Sequence, residues 1–395
     1  MSQVGGMETA MKMQSVASKE ISEYVSSHQK MDNTVVRVLI DGEPQVREVY
    51  RIPIKLLRFN IRNGRFASEL RRKEIELKRP LDNKNAADSL LIRSLLLEQS
   101  SSETEQLQRD LVKHGQLEPG IITHDGAVIN ANRRMAVISK LHDDTHDPKW
   151  EFLNVAVLPD PVSEQDLWRI EADLQFGKDF RLVYGPINEL LKLREGIECG
   201  LKPSDIEATL LGRFSEKQVT DRLDRLKLID NYLKMIGRKD DYALIGEQHL
   251  MEKFISLSTN VIANLKAKTE MDPMELQRIA QTGFALIKDK GGRATHWDIR
   301  KLTAIARNSS AKKALLEALP EDPFEAEPEV LREAFSTAKD IVDSEKENDK
   351  PERLLQRALT AINSIDEESP RLASASAKSL LKELAAACKR LDHAP

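Results

Sequence analysis

Two cysteines in 395 residues, Cys199 and Cys388, leave nothing from which to build a disulfide framework. Neither has a second cysteine at the spacing of a structural zinc site. That scarcity points to a reducing setting, cytoplasmic or nucleoid-associated. Aromatic residues make up only 5% of the chain, and no apolar run approaches the roughly 18–20 residues needed to cross a bilayer, so no membrane partner is expected. The first 30 residues carry Glu20 and Glu23 and lack the apolar core of a signal peptide. An excess of one charge sign is missing too. Sixty Lys and Arg face 64 Asp and Glu, a formal net of −4, which excludes a uniformly basic, histone-like nucleic-acid binder.

What the chain does have is a change of period along its length. From Thr34, Val36, Val38 and Ile40 alternate with Val35, Arg37 and Leu39. Asp41-Gly42 then offers a hairpin turn, and Val46–Ile52 supplies the return strand, ended by Pro53. Apolar spacing predicts helices over Ala67–Leu77, Ala86–Gln99 and Glu103–His114, with Gly115 as a C-terminal stop. Short strands at Ile121–His124 and Ala127–Ile129 flank Asp125-Gly126; a helix at Arg133–Leu141 and a strand at Phe152–Leu158 follow. Beyond Pro159–Pro161 the pattern is helical throughout, including single helices over Glu216–Met235 and Gly246–Ala267. The expected fold class is α+β, a small mixed domain followed by a long all-α region. The expected divisions are a flexible arm (1–33), the mixed domain (34–160), a helix-turn-helix domain (161–245), a further helical domain (246–319), an acidic linker (320–350) and a C-terminal helical hairpin (351–395). The last carries an apolar stripe, Leu354, Leu355, Leu359, Ile362, Leu380, Leu381 and Leu384, suited to a hairpin or a homodimer seam.

Charge counted locally is far from neutral. Arg51–Pro80 holds ten basic residues against three acidic, and Glu321–Lys350 holds eleven acidic against four basic. Either run can be a solvated face; the basic one also flanks a possible phosphate site.

Four short segments carry residues with a use at an anion site. They are Asn60-Ile61-Arg62-Asn63-Gly64-Arg65, Gly115-Gln116-Leu117-Glu118-Pro119, Asn130-Ala131-Asn132-Arg133-Arg134 and Ala172-Asp173-Leu174-Gln175. Arg65 and Arg134 can make forked, charge-assisted bonds to phosphate. Asn132, Arg133 and Arg134 open a helix directly after a strand, where free N–H groups attract an anion. Asp173 is a hard oxygen ligand suited to Mg²⁺. The same residues also fit a plain surface helix with Asn132 as its N-cap. A further His142-Asp143-Asp144-Thr145-His146-Asp147 run could group metal ligands or be a solvated loop, and Gly291-Gly292-Arg293 could be a phosphate-binding turn or a flexible one.

The order and spacing of the four segments resemble the N-terminal domain of the ParB/sulfiredoxin superfamily. There they read Asn-Pro-x-Gln-Pro-Arg, Gly-Leu-x-x-Pro, Gly-Glu-Arg-Arg and Glu-Asn-x-Gln-Arg. The resemblance covers Val46 to about Tyr232. It implies a nucleoside-triphosphate pocket, for CTP or ATP with Mg²⁺, built here from Asn63, Arg65, Gly115, Asn132, Arg133, Arg134 and Asp173. Ala131 stands at the family glycine, and Asn132 stands at the glutamate or reactive cysteine. Sulfiredoxin chemistry is therefore excluded, and Asn132 cannot accept a proton. Glu171 lies one position early for the fourth segment.

Leu201 to Lys227 has the layout of a helix-turn-helix, similar to the one that follows the ParB domain. Ile206, Leu210, Leu211, Phe214, Val219, Leu223 and Leu226 are its expected core, with Gly212 at the turn. Lys202, Arg213, Ser215, Lys217, Gln218, Thr220, Arg222 and Arg225 are its candidate contacts to double-stranded DNA. The functional expectation is a DNA-binding protein, homodimeric, with a nucleotide switch in plasmid or chromosome partition or in transcription regulation. A partition ATPase is a partner the resemblance allows. The alternative is a nucleotide-dependent triphosphatase or nuclease using Arg134, Glu171 and Asp173, in a mobile-element or defence system.

Overall fold

The alternation after Thr34 becomes a β-hairpin, β1 (Val35–Ile40) antiparallel to β2 (Glu43–Pro53), with Val38 opposite Gln45. Asp41 and Gly42 both take positive φ, 52° and 79°, as a tight two-residue hairpin requires. In the computed structural model, residues 17–62, 64–176, 185–268, 271–289, 294–347, 351–366 and 369–392 are described. Asn63 and the Gly291–Arg293 turn lie outside them. The chain divides into two units, one reaching Ala267 and taking in Thr295–Ile299, the other formed by Lys268–Ala294 and Arg300–Pro395.

The fold is α+β. In the first unit β2 pairs next with β6 (Phe152–Val157), which runs parallel to β4 (Gly120–Ile122). β5 (Ala127–Asn130) is antiparallel to β4, and β3 (Arg58–Phe59) closes the sheet parallel to β5, giving the order β1-β2-β6-β4-β5-β3. Helix α1 (residues 17–27), α2 (Ala67–Leu77), α3 (Ala86–Glu98), α4 (Ser101–His114) and α5 (Asn132–Thr145) contribute to a core with Ile52, Phe59, Phe66, Ile92, Leu111, Val128, Met135 and Leu153. A second cluster joins Val38, Ile40, Ile121 and Ile129 to Ile170 of α6 (Glu164–Phe176). Gly126 is fixed by both conformation and space: φ is 86°, and a Cβ would lie 2.5 Å from the Leu56 carbonyl oxygen.

Helices α7 (Pro186–Glu198), α8 (Pro203–Thr209) and α9 (Glu216–Met235) match the sequence pattern closely. Trp168, Leu193, Ile206, Leu210, Phe214 and Val219 form one apolar cluster. Leu211 does not join it. The turn puts Leu211 and Gly212 at φ 51° and 73°, which throws the leucine outward to 85% exposure. The single helix expected over Gly246–Ala267 is also broken. α10 (Ala243–Glu247) ends before His249, which is left-handed at φ 52°. α11 (Met251–Ile255), a π-helical segment (Ser256–Ala263) and α12 (Asn264–Lys268) follow.

The second unit holds α13 (Pro273–Lys288), most of α14 (His296–Arg307), α15 (Ser309–Ala318), α16 (Pro328–Glu347), α17 (Pro351–Asn363) and α18 (Ala375–Asp392). Much of the acidic stretch forms α16, which buries Leu331, Ala334, Phe335 and Val342. α18 buries no residue, and Leu355, Leu359 and Ile362 of α17 are exposed. Among the described residues no helix is long and apolar enough to cross a membrane.

Candidate anion pocket and nucleic-acid interface

The first and third motif segments meet directly, and Glu171, just before the fourth, joins them. β3 delivers Asn60, and β5 ends at Asn130, after which Ala131, at φ 93°, turns the chain sharply into α5. Ala131, not Asn132, is therefore the N-cap, and it makes no side-chain cap bond. Asn132 is swung inward instead. Its Oδ1 accepts from the Asn60 amide at 2.8 Å, and its Nδ2 donates to the Val128 carbonyl at 2.6 Å. Glu171 of α6 reaches the same loop, with Oε1 accepting from the Gly64 amide at 3.1 Å and Oε2 from Asn60 Nδ2 at 3.5 Å.

Behind Glu171 stands a residue the motif reading missed. Lys192 of α7 is fully buried, and its Nζ lies 2.9 Å from both Glu171 Oε2 and Glu195 Oε2. Burial opposes its charge, but the two carboxylates outweigh burial and hold its pKa above the ordinary lysine value. Burial is also the main cause that raises Glu195. The signal was faint: one lysine among Ile187, Leu190, Leu191 and Leu193, on a helix whose apolar face is broad. Asn188, one turn earlier, accepts from the Ser68 amide at 3.0 Å and donates to the Arg65 carbonyl at 2.9 Å.

The remaining predicted anion ligands are dispersed. Arg133 is only 9% exposed and faces α4, pairing with Glu103 at 3.1 Å and donating to Gln99 at 2.9 Å. Its neighbour Arg134 lies 3.5 Å from the Glu118 carboxylate and donates to the Glu118 carbonyl, tying the second segment to the third. Gly115 is the C-cap of α4, at φ 71°. Asp173 is exposed on α6, two residues beyond Glu171. A cavity of about 620 Å³ opens beside Glu171's partners, lined by Arg62, Gly64, Lys192, Arg194, Glu195 and Cys199 among others. Burial raises the Cys199 thiol, so it is not an activated nucleophile.

The basic run of Arg51–Pro80 is largely neutralised by acids from elsewhere in the first unit. Arg58 pairs with Asp125 at 2.6 Å, Arg62 with Glu164 at 2.9 Å, Arg71 with Asp240 at 3.0 Å and Arg72 with Asp241 at 2.8 Å. Arg79 holds buried Asp88 through two bonds of 2.6 and 2.7 Å and, with the Asp82 amide, lowers its pKa to about 2. A local count of charge in the sequence does not show these partners. The His142–Asp147 run gives no metal cluster either: α5 continues to Thr145, and among the described residues no group of three or more His, Cys, Asp or Glu could hold a metal.

At the helix-turn-helix, Ser215 caps α9 in a reciprocal box. Its hydroxyl accepts from the Gln218 amide at 3.3 Å, and Gln218 Oε1 accepts from the Ser215 amide at 3.0 Å. Those two side chains are thereby committed to the helix start. Lys202 opens α8, its amide donating to Asp205 at 2.8 Å. Lys202, Arg213, Lys217 and Thr220 are exposed. Arg222 stacks on Phe214, 3.9 Å from the ring centroid, and pairs with Glu189 of α7 at 2.8 Å. Arg225 turns toward the π-helical segment, not the front of α9.

Comparison with protein-family models, with curated proteins and with solved structures finds no match to this chain.

Proposed function

We propose that the chain is a duplex-DNA-binding protein of the ParB/sulfiredoxin type, in which a bound nucleotide sets how the helix-turn-helix is presented. The observation that carries this reading is an unbroken run of contacts from the start of α5 to α9. Asn132 holds Asn60; Asn60 and Gly64 hold Glu171; Glu171 holds Lys192 of α7; and Glu189, one turn earlier on α7, holds Arg222 of α9. A shift of the Asn60–Gly64 loop on ligand binding has a physical route to the recognition helix.

The donor set fits a phosphate. The first-turn N–H groups of Asn132 and Arg133 have no intrahelical acceptor, and Arg134 borders them. Arg134, exchanging its Glu118 partners for the ligand, and Arg65 would hold the phosphates of CTP or ATP, and the exposed Asp173 would take Mg²⁺, which supplies charge neutralisation. Arg133 has no part in this, because Glu103 and Gln99 already engage it. Asn132 has no base to offer, and Glu171 is committed to three donors. Both facts favour a switch over turnover. On the exposed side, Arg213, Lys217 and Thr220 would face the duplex, and a homodimer would double a modest local charge.

The test is fluorescence anisotropy of a labelled duplex at low salt, with and without CTP, ATP or GTP and Mg²⁺, beside a thermal-shift series. Duplex binding that changes several-fold with one nucleotide is expected. That nucleotide should add about 2.7 kcal/mol of stability at a hundred times its Kd. No duplex binding in any arm overturns the reading. Sustained hydrolysis that is lost in Asp173→Ala would favour the triphosphatase or nuclease instead.

A further inference from the structure

The arginines around α9 are not equivalent. Arg222 has Glu189 at 2.8 Å, and Arg194 has Asp230 at 3.2 Å. Arg225, three residues after Arg222, is half-buried and has neither kind of partner. Its Nε donates to Ser258 Oγ at 3.0 Å and its Nη2 to Thr259 Oγ1 at 3.3 Å. Among the described residues no carboxylate lies within ion-pair distance of it. Burial and the neighbouring Arg222 lower its pKa against weaker pulls from Glu189, Asp221 and Glu252, as suits a guanidinium without a contacting anion. Burying a charge without a counter-charge is costly.

The hydroxyls come from an unusual place. Ser258 and Thr259 are consecutive in the π-helical segment, and π-helical turns are rare and concentrate at functional sites. Ser258 is buried and directs its proton to the Ile255 carbonyl at 3.3 Å. Thr259 is exposed and accepts from Arg225, so its own proton can point outward. A planar guanidinium edged by a hydroxyl donor is a set suited to one tetrahedral oxyanion.

We infer that Arg225 and Thr259, braced by Ser258, form a phosphate site on the flank of the helix-turn-helix that takes a backbone phosphate of duplex DNA. This deepens the duplex-binding reading above and rests on it. The site carries no sequence information; it fixes the register and tilt of α9 on the duplex.

The experiment titrates the full chain with random-sequence duplex over a range of salt, comparing wild type with Arg225→Gln, Arg225→Lys, Thr259→Val and Thr259→Glu. Loss of one phosphate contact flattens the plot of log K against log salt by about 0.9. Arg225→Gln is expected to show that change with roughly three- to tenfold weaker binding at physiological salt. Arg225→Lys should keep the slope. Thr259→Val, at an exposed position, is expected to weaken binding about two- to threefold with no loss of melting temperature. Thr259→Glu, which hands the guanidinium an internal anion, should match Arg225→Gln. Wild-type binding with unchanged affinity and slope in Arg225→Gln, or in Thr259→Glu should Arg225→Gln not fold, overturns the site and leaves the duplex reading standing. Absence of wild-type binding overturns the duplex reading itself. A parallel arm with inorganic phosphate identifies the source: saturable protection of Arg225 by free phosphate, without duplex binding, refutes a DNA site.

Discussion

None of the Lys192 side chain on α7 reaches water, whereas Leu391 on α18 is 62% exposed. Within α6 and α7 a lysine and a glutamate lie inside, and each is matched: Lys192 has two carboxylates, and Glu171 has the Gly64 amide, the Asn60 amide group and the ammonium. On α17 and α18 all the leucines but Leu354 lie outside. Hydropathy alone would place both pairs the other way. What decides burial is whether the chain supplies a partner of the right chemistry at the right place.

Lys192→Met should break the first half of this contrast. It leaves Glu171 buried without its counter-charge, and urea denaturation should show a loss of about 3–5 kcal/mol. Adding Glu171→Gln should recover a large part, since the pair is then removed together. A wild-type midpoint for the single variant would mean the network contributes nothing. Gly196→Ala probes the apolar wall of the same region. A Cβ there would stand 2.9 Å from the Trp168 ring, so a loss of about 1–3 kcal/mol is expected from overpacking.

Asp88 extends the rule to a second inward carboxylate. Its pKa of about 2 lies below the ordinary 3.8, so the Arg79–Asp88 pair contributes its full stability above about pH 4. That contribution is lost as pH falls through about 2. In Arg79→Met the NMR titration midpoint of Asp88 should move up toward the ordinary value. A midpoint that stays put would assign the shift to the Asp82 amide alone. The smallest effect belongs to the tail. Leu384→Gln on exposed α18 should change stability by under about 0.5 kcal/mol at low protein concentration. A larger loss that grows with concentration would show that a second copy covers this stripe.

How much of this was legible in the sequence follows from how local each cause is. The β1–β2 hairpin, the α8–α9 pair and the Ser215 cap rest on alternation, a turn residue and a three-residue box, all visible within a few positions. Arg133 and Arg134 show the limit. Adjacent in sequence and alike in chemistry, they point to different acids because α5 turns each residue about 100° from the last. Apolarity alone puts Leu211 in the core, yet two left-handed residues set it outside. The acids that neutralise the basic run come from as far away as Asp240 and Asp241, so no window count could find them. The convergence of Asn60, Asn132 and Glu171 was legible only as an ordered set of motifs; the lysine behind them was not.

The π-helical segment at Ser256–Ala263 makes the count of residues there a structural variable in its own right. A chain wound wider than an α-helix holds surplus length. Deleting one residue within it would let the turn relax to ordinary winding and be absorbed there, whereas the same deletion in an α-helical stretch would rotate every later position by about 100°. Leu265, now wholly enclosed, would then keep its place beside exposed Lys266. The segment therefore acts as a length reserve: it can give up one residue without re-addressing α12, which an ordinary helical turn cannot do.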